Sequence, residues 1–271
     1  MAASSILGFL GGGQMATALA RGGVSAGVFA AKDLVFCEPS SAQRDRLVQE
    51  FGEAKFASNP IELFRMANRV ILAVKPQVLR EIGSQLNAVS EKQHLIVSIV
   101  AGVSLHQLCE MLNSDRIIRV MPNTPCQVLA GASGIASGRG ATADDIAWTE
   151  QLMNAVGVSV RVPDSAMHAV TAVSGSGPAY VLTMIEAMAD GGVAAGLGRE
   201  MAIQLAAQTV YGTAKMILES KSHPAVLRDQ VVSPGGTTIA ALRVLEQSAF
   251  RSALIEAVMA ATRRSQELAD D

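Results

Sequence analysis

Two glycines and an alanine near the start of the chain have the spacing of an anion-binding turn. Gly11, Gly13 and Ala16 form a Gly-x-Gly-x-x-Ala pattern between a short apolar run and a helical pattern. In such a turn the first glycine makes the tight bend, the second lets the backbone approach phosphate oxygens, and the alanine packs the helix against the strand. The helix start near Gln14 offers unpaired N–H groups to an anion. The pattern therefore predicts a site for the pyrophosphate of a dinucleotide.

A carboxylate follows this turn at the spacing expected for a ribose ligand. Residues 34–38 read as a second strand that ends in Glu38, which would accept hydrogen bonds from the ribose hydroxyls of NADH and repel the extra phosphate of NADPH. Ser40, Ser41 and Arg44 could offset that repulsion, so we expect both NADPH and NADH to serve. A structural turn with an incidental surface glutamate is the alternative, which the strand–glycine–helix–strand context disfavours.

Two loops that follow predicted strands carry further candidate residues. Residues 73–76, Ala-Val-Lys-Pro, stand at the carboxyl end of a strand, where ligands gather in open α/β sheets. A solvated lysine before a helix-starting proline is the alternative. Residues 121–125, Met-Pro-Asn-Thr-Pro, form a rigid loop whose asparagine and threonine offer hydrogen bonds at the same rim, or else a purely structural turn.

Two glycine-rich loops precede helices in the second half. Residues 233–238, Ser-Pro-Gly-Gly-Thr-Thr, place glycines before hydroxyl residues at a helix start, which makes a small nest of backbone N–H groups. A carboxylate fits this nest without an arginine, and a well-capped helix is the alternative. Residues 173–180, Val-Ser-Gly-Ser-Gly-Pro-Ala-Tyr, open the first long helix, and they suit ligand contact and close packing at a dimer seam equally well.

Short apolar runs alternate with helical patterns through about Pro163. Such alternation predicts βαβ units and a parallel, doubly wound sheet, so we expect an α/β Rossmann-type dinucleotide-binding domain over residues 1–163. Further strands are expected at residues 69–74, 94–99, 116–120 and 157–162, and helices at residues 42–50, 77–86 and 105–112.

The strand pattern disappears after this point, so residues 164–271 should form an all-helical domain. Apolar residues occupy nearly the whole circumference of helices expected at residues 178–197 and 199–218, which must therefore be buried on most sides. About 100 residues make a thin domain by themselves, and an intertwined homodimer would cover the excess apolar surface. Charged residues interrupt these helices and disfavour a membrane role: Glu186, Asp190, Glu200 and Lys215. A further helix is expected at residues 239–246.

Composition and charge exclude several classes of function. The 271 residues carry a net charge of −2 without a basic stripe, which argues against a nucleic-acid partner. Charges break every long apolar run and the first basic residue is Arg21, so neither a spanning helix nor a secretory leader is expected. Three cysteines without metal-ligand spacing fit reduced thiols. We therefore expect a cytoplasmic protein that binds no metal.

The four histidines belong to no chemical motif. His94 begins a predicted strand, His106 and His168 lie on predicted helices, and His223 precedes a proline. Surface or helix-capping roles are therefore expected for them.

Five motifs together resemble the pyrroline-5-carboxylate reductase family. Residues 8–15, 73–76, 121–125, 174–180 and 233–238 occur in that family's order and span nearly the whole chain, and the last three are far more specific than the glycine loop. The resemblance implies the final step of proline synthesis, an N-terminal cofactor domain and a C-terminal helical dimerisation domain. It also implies homodimers that often assemble further, five to a decamer.

The resemblance implies roles for individual residues. The glycine loop would hold the pyrophosphate, the Ala73–Pro76 loop would contact the cofactor elsewhere, and Ala101 would line the nicotinamide end. The cofactor residues are Leu10, Gly11, Gly12, Gly13, Gln14, Met15, Glu38, Ser40, Asn59, Ala73, Val74, Lys75, Pro76 and Ala101. The substrate residues are Ser233, Gly235, Gly236, Thr237 and Thr238, with Asp164 and Gln230 as further polar contacts that differ from the side chains of well-known members.

Reduction of a cyclic imine agrees with what the motifs lack. A protonated imine is strongly electrophilic, so no nucleophile, metal or strong base is required, and the Thr238 hydroxyl would bond the ring nitrogen. A hydroxy-acid dehydrogenase would instead carry a catalytic Lys or His in its helical half, and Lys215 and Lys221 lie outside any motif there. A non-catalytic nucleotide-binding protein would not need an intact 233–238 loop.

Overall fold

A computed structural model of the chain describes residues 6–90 and 93–270. The described strands are β1 (Leu7–Leu10), β2 (Leu34–Cys37), β3 (Lys55–Phe56), β4 (Arg69–Leu72), β5 (Leu95–Ser98), β6 (Ile117–Met121), β7 (Gly131–Ser137) and β8 (Gly157–Arg161). The described α-helices are α1 (Gln14–Ser25), α2 (Ser41–Phe51), α3 (Pro60–Met66), α4 (Pro76–Asn87), α5 (Leu105–Leu112), α6 (Ala143–Asn154), α7 (Met167–Val170), α8 (Gly177–Ala194), α9 (Arg199–Ser220), α10 (Pro224–Val231), α11 (Thr237–Gln247) and α12 (Phe250–Asp270).

The strands form one sheet in the order β3-β2-β1-β4-β5-β6-β7-β8. Neighbouring strands run parallel except for the antiparallel pair β6 and β7. The chain steps outward from β1 in both directions, as in a doubly wound sheet. The expected Rossmann-type sheet is confirmed, and β7 and β8 at one edge run antiparallel to the other six strands.

The central strands of the sheet are buried on both faces, which explains why they are continuous apolar runs rather than alternating ones. On one face Phe9, Leu19 and Phe36 belong to a cluster that also contains Trp148. On the other face a second cluster is centred on residues such as Leu72. The strand ends that carry the predicted cofactor residues therefore rest on a closely packed support.

Several elements of this sheet were not predicted. β3 has only two residues, and β7 has the sequence Gly-Ala-Ser-Gly-Ile-Ala-Ser, in which glycine and serine hide the strand pattern. The helices α3 and α6 were also absent from the prediction, although Pro60 and the capping residue Thr142 stand at their starts.

Contacts group the chain into two compact units. The sheet unit contains the residues up to Ser176 together with those from Ala261 onward, and the helical unit is Gly177–Ala260. Residues 164–176 thus belong to the sheet unit by contact, although the expected domain boundary precedes them. They form a nearly continuous helical stretch that ends in a π-helical turn, Thr171–Gly175.

The helical unit buries little of its apolar surface within itself. Its buried cluster is the alanine trio Ala189, Ala202 and Ala206. Large side chains of the same helices are exposed, among them Leu182, Met201, Leu205, Tyr211 and Leu218. Such a surface requires a partner. No helix among the described residues is both long enough and apolar enough to span a bilayer.

Candidate functional site

The glycine loop makes the tight turn that its sequence predicts. Gly11 has a φ of +96°, and its N–H donates to the Cys37 carbonyl at 2.9 Å. A Cβ at this position would lie 2.7 Å from the Ala73 carbonyl oxygen. Only glycine combines this conformation with so close an approach between the ends of β1, β2 and β4.

The next residue is held on both sides of its peptide. The Gly12 carbonyl accepts from Gln43 Nε2 at 2.5 Å and from Thr17 Oγ1 at 3.2 Å, and its N–H donates to Glu38 Oε2 at 2.8 Å. Gln43 and Thr17 were not among the predicted site residues, and no motif marks them. They keep the loop rigid, so its N–H groups keep one orientation.

Open space lies beside the third glycine. Nothing lies within 4 Å of a Cβ built on Gly13, which is exposed and precedes α1. No side chain caps this helix start, so its first N–H groups remain available to an anion. Gln14 accepts a hydrogen bond from Gln127 at 3.3 Å, and Met15 is half-buried. The loop therefore fits a pyrophosphate group.

Glu38 is fastened to the glycine loop. Its Oε2 accepts from Gly12 N–H at 2.8 Å, and its Oε1 accepts from Ser40 N–H at 2.9 Å. Burial, followed by the nearby Glu38 charge, raises the pKa of the adjacent Cys37 thiol to about 11. This thiol remains protonated at neutral pH and is no nucleophile.

The remaining cofactor candidates follow other strands at the same sheet edge. Asn59 comes after β3 and caps α3, where its Oδ1 accepts from Glu62 N–H at 2.9 Å. Lys75 comes after β4, is exposed and precedes α4 without capping it. Ala101 comes after β5 and is exposed beside Gly102, whose φ is +72°. Because parallel strands end together, the structure gathers these loops along one edge.

The loop at residues 121–125 has a structural role. Asn123 is buried, with its Nδ2 donating to the Ser174 carbonyl at 3.0 Å and its Oδ1 accepting from Ala132 N–H at 2.8 Å. The asparagine thus ties the π-helical turn to β7, with both ends of its buried amide engaged by the protein. The structural alternative holds for this residue.

Asp164 is also engaged by its own unit. Its Oδ1 accepts from Arg119 at 2.8 Å, and its Oδ2 accepts from the N–H of Leu105 at the start of α5 at 3.1 Å. Arg119 is 3% exposed, so removal of the carboxylate would leave a buried cation unpaired. We interpret Asp164 as a residue that fixes α5 to β6.

The predicted substrate loop lies in the helical unit. Gly235 has a φ of +66°, and Gly236 N–H donates to the Ser233 carbonyl at 3.0 Å. A Cβ on Gly236 would lie 2.2 Å from Ser233 Oγ. α11 begins at Thr237 without a side-chain cap, so its first N–H groups point into an open nest. The geometry suits a carboxylate.

Thr238 lines a cavity of about 280 Å³ within this unit. Arg228 is its charged lining residue, and the other walls are mainly apolar side chains of α9, α10 and α11. Gln230 is exposed on α10 and does not line this cavity. The two residues therefore differ in their surroundings: Thr238 lines a mainly apolar cavity, whereas Gln230 is exposed.

The histidines and the two lysines of the helical half make contacts within the protein that are typical of structural residues. His94 is buried against Phe64 rather than at the surface, so its expected surface role is wrong, whereas His223 caps α10 as expected. Lys215 lies 3.6 Å from Glu219, and Lys221 ends α9 in a left-handed conformation. Among residues 6–90 and 93–270, no group of three His, Cys, Asp or Glu side chains could hold a metal ion.

Comparisons with known families match both parts of the chain. A family model described as pyrroline-5-carboxylate reductase dimerisation matches residues 164–268. A model described as NADP oxidoreductase, coenzyme F420-dependent, matches residues 6–102.

Similar proteins cover nearly the whole chain. Pyrroline-5-carboxylate reductase of Synechocystis is 47% identical, with 97% of each chain covered, and that of Arabidopsis thaliana is 45% identical, with 97% of this chain and 95% of the plant protein covered. The structure of a pyrroline-5-carboxylate reductase from Coxiella burnetii superposes with a TM-score of 0.91 at 34% identity, and that of Plasmodium falciparum with NADP bound at 0.83 and 33%, each with 98% of both chains covered.

The two glycines of the loop should fail differently when replaced. We expect Gly11→Ala to lower the free energy of unfolding by about 2 kcal/mol or more, because the new Cβ meets the Ala73 carbonyl at an unfavourable φ. Gly13→Ala meets no protein atom, so it should cost about 1 kcal/mol or less while raising the Kd for NADPH about 10-fold. Denaturant unfolding and calorimetric titration measure both quantities. Equal dinucleotide affinity in Gly13→Ala and wild type would contradict the pyrophosphate site.

Proposed function

The chain belongs to the pyrroline-5-carboxylate reductase family, and we propose on that premise that its glycine loop holds the cofactor and its 233–238 loop the substrate. The enzyme reduces the C=N bond of 1-pyrroline-5-carboxylate with NAD(P)H and produces L-proline, the last step of proline biosynthesis. The observation that carries the site assignment is the pair of helix starts without a side-chain cap, α1 and α11, each with a glycine at positive φ in the loop before it, Gly11 and Gly235.

The cofactor residues lie on five consecutive strand ends. Leu10 to Met15 bind the pyrophosphate, Glu38 and Ser40 face the adenosine ribose, and Asn59 with Ala73, Val74, Lys75 and Pro76 line the same edge. Ala101 contacts the nicotinamide end. The bound cofactor supplies the hydride. Rigid support of the Gly12 peptide by Thr17, Gln43 and Glu38 preorganises the loop for binding.

The substrate residues contact two groups of the imine, its carboxylate and its ring nitrogen. The carboxylate of the imine accepts from the free N–H groups at the start of α11, beside Gly235, Gly236 and Thr237. The Thr238 hydroxyl bonds the ring nitrogen as the protonated imine becomes an amine. Ser233 closes the turn by accepting from Gly236 N–H. Gln230 contributes at most an outer polar contact, and Asp164 is retained as a support of the sheet unit.

The two functions divide between two domains. We place a dinucleotide-binding domain at residues 1–163 and a dimerisation and substrate domain at residues 164–271, which accords with the family match from residue 164. The protein self-associates through the helical domain. We propose a homodimer, with five dimers forming a decamer. The three free cysteines suit a reducing cytoplasm. The net charge of −2 provides no electrostatic attraction for nucleic acid or an anionic membrane.

Exposed leucines of the helical unit should be required for assembly. Leu205 on α9 is 53% exposed, so we expect Leu205→Glu to place a charge in the dimer interface and to yield monomers. Val48→Glu on α2 of the sheet unit, where Val48 is 50% exposed, is the matched control and should leave the assembly unchanged. Sedimentation velocity measures both. A wild-type protein that is monomeric and fully active would contradict the proposal.

Glu38 should set the balance between the two cofactors. Glu38→Ser removes the negative charge and frees the N–H groups of Gly12 and Ser40 for the extra phosphate. We expect the ratio of kcat/KM for NADPH to that for NADH to rise about 10-fold. Glu38→Gln keeps the size and one acceptor oxygen, so it should shift the ratio in the same direction by less. A ratio unchanged in Glu38→Ser would refute this role.

Thr238 should affect the chemical step without affecting nucleotide binding. We expect Thr238→Ala to lower kcat about 10- to 100-fold, because the ring nitrogen loses its hydrogen-bond partner, and Thr238→Ser to keep most activity. The Kd for NADPH should stay within about 2-fold, since that site lies on the other unit. If kcat were unchanged in Thr238→Ala while stability fell by about 1 kcal/mol, the residue would serve the helix start alone.

A further inference from the structure

The last turns of α12 pack on the sheet unit rather than projecting into solvent. Residues from Ala261 onward group with that unit, and Ser265 and Ala269 are only 8% and 9% exposed. This end of the helix lies against the 101–104 loop and against the helical stretch that follows Asp164. The contacts include hydrogen bonds from two side chains of the sheet unit.

Two hydrogen bonds fasten the helix end. Gln107 Nε2 donates to the Ala269 carbonyl at 2.8 Å, and His168 Nδ1 lies 3.0 Å from Ser265 Oγ. Between them the Leu268 carbonyl lies 3.6 Å from the position of a Cβ on Gly102. The helix end therefore contacts the residue next to Ala101.

Gln107 uses the other end of its amide on the same loop. Its Oε1 accepts from Ser104 N–H at 2.8 Å, while Ser104 Oγ accepts from Gln107 N–H at 3.2 Å. This reciprocal pair is a capping box at the start of α5. One side chain thus joins the exit of the 101–104 loop to the end of α12.

The loop itself has two buried anchors and an exposed tip. Val100 and Val103 are buried, whereas Ala101 is exposed and Gly102 is half-buried at a φ of +72°. A short tip of this kind has few contacts of its own, so the surfaces beside it determine how far it moves. The Leu268 carbonyl is such a surface.

We propose that the end of α12 is a positioning element for the nicotinamide-binding loop, with Gln107 as the positioning residue that links the two. The inference rests on the proposed contact between Ala101 and the nicotinamide end. By limiting the motion of the loop, the helix end keeps the hydride donor in line with its acceptor, and misplacement by about 1 Å is costly for such a step. The pyrophosphate site depends on other loops and is not affected.

The test is Gln107→Glu in the full-length enzyme. A glutamate keeps the acceptor oxygen of the capping box, so α5 retains its cap. It has no N–H to donate to the Ala269 carbonyl and places a negative charge against that oxygen. We expect kcat to fall about 5- to 10-fold while the Kd for NADPH changes less than about 2-fold and the Tm stays near that of wild type. Gln49→Glu, on the exposed surface of α2, is the matched control and should leave all three quantities unchanged.

A second variant ends the chain after Arg264 and removes both hydrogen bonds of the helix end. Its kcat should fall at least as far as that of Gln107→Glu, and the amides of residues 101–104 should exchange hydrogen faster in both variants than in wild type. Unchanged kcat and unchanged exchange in the two variants, with only a lower Tm in the shortened chain, would overturn the proposal and leave the helix end as packing.

Ala101→Val separates a failure of this inference from a failure of the proposed site. If Ala101→Val lowers kcat or raises the KM for NADPH while Gln107→Glu does neither, the positioning role of Gln107 is wrong and the nicotinamide contact of Ala101 is supported. If Ala101→Val changes neither constant, the nicotinamide contact of Ala101 is wrong, and so is the positioning role of α12 that rests on it. The expected result is that both variants lower kcat.

Discussion

The turn at Gly11 is the constraint on which the cofactor site depends. Its φ of +96° brings the chain against the Ala73 carbonyl, where no side chain fits, and lets its N–H reach the Cys37 carbonyl. The chain that leaves β1 is thereby held against the ends of β2 and β4, its two neighbours in the sheet. As a consequence α1 begins with free N–H groups beside open space at Gly13, so phosphate binding there needs no cationic side chain.

The predictable parts of the structure are those in which local pattern and tertiary position agree. The central strands were recognisable because burial on both faces requires continuous apolar runs, and α5 was predicted at the residues where it occurs. β7 was missed because its glycines serve packing: a Cβ at Gly131 would lie 2.2 Å from Cys126 Sγ. Such a contact depends on residues distant in space, and no local pattern reports it.

The residues of the candidate site also divide into those that a local pattern predicts and those that only the tertiary structure reveals. Gly11, Gly13 and Thr238 were named from motifs because their chemistry is local: a turn, a helix start, a hydroxyl. The partners that hold them, such as Gln43 on the Gly12 carbonyl, come from another element and were not foreseen. Asn123 shows the converse case: the sequence left a ligand contact and a structural turn equally open, and the side chain bonds the Ser174 carbonyl and the Ala132 N–H.

The reaction explains why the glycine loop before α1 and the 233–238 loop before α11 have similar structures, and why neither contains an acid–base pair of side chains. Both substrates bring anionic groups, a pyrophosphate and a carboxylate, and a protonated imine needs only a hydride and a partner for its N–H. Backbone N–H groups at the starts of α1 and α11 bind the anionic groups, and a hydroxyl such as that of Thr238 accepts from the imine N–H. Neither the pyrophosphate nor the carboxylate changes charge in the reaction, so the role of these backbone N–H groups is to hold both reactants in fixed positions for hydride transfer. The structure therefore relies on rigidity where other enzymes use charge, and that is why glycines at positive φ and supporting hydrogen bonds determine its site.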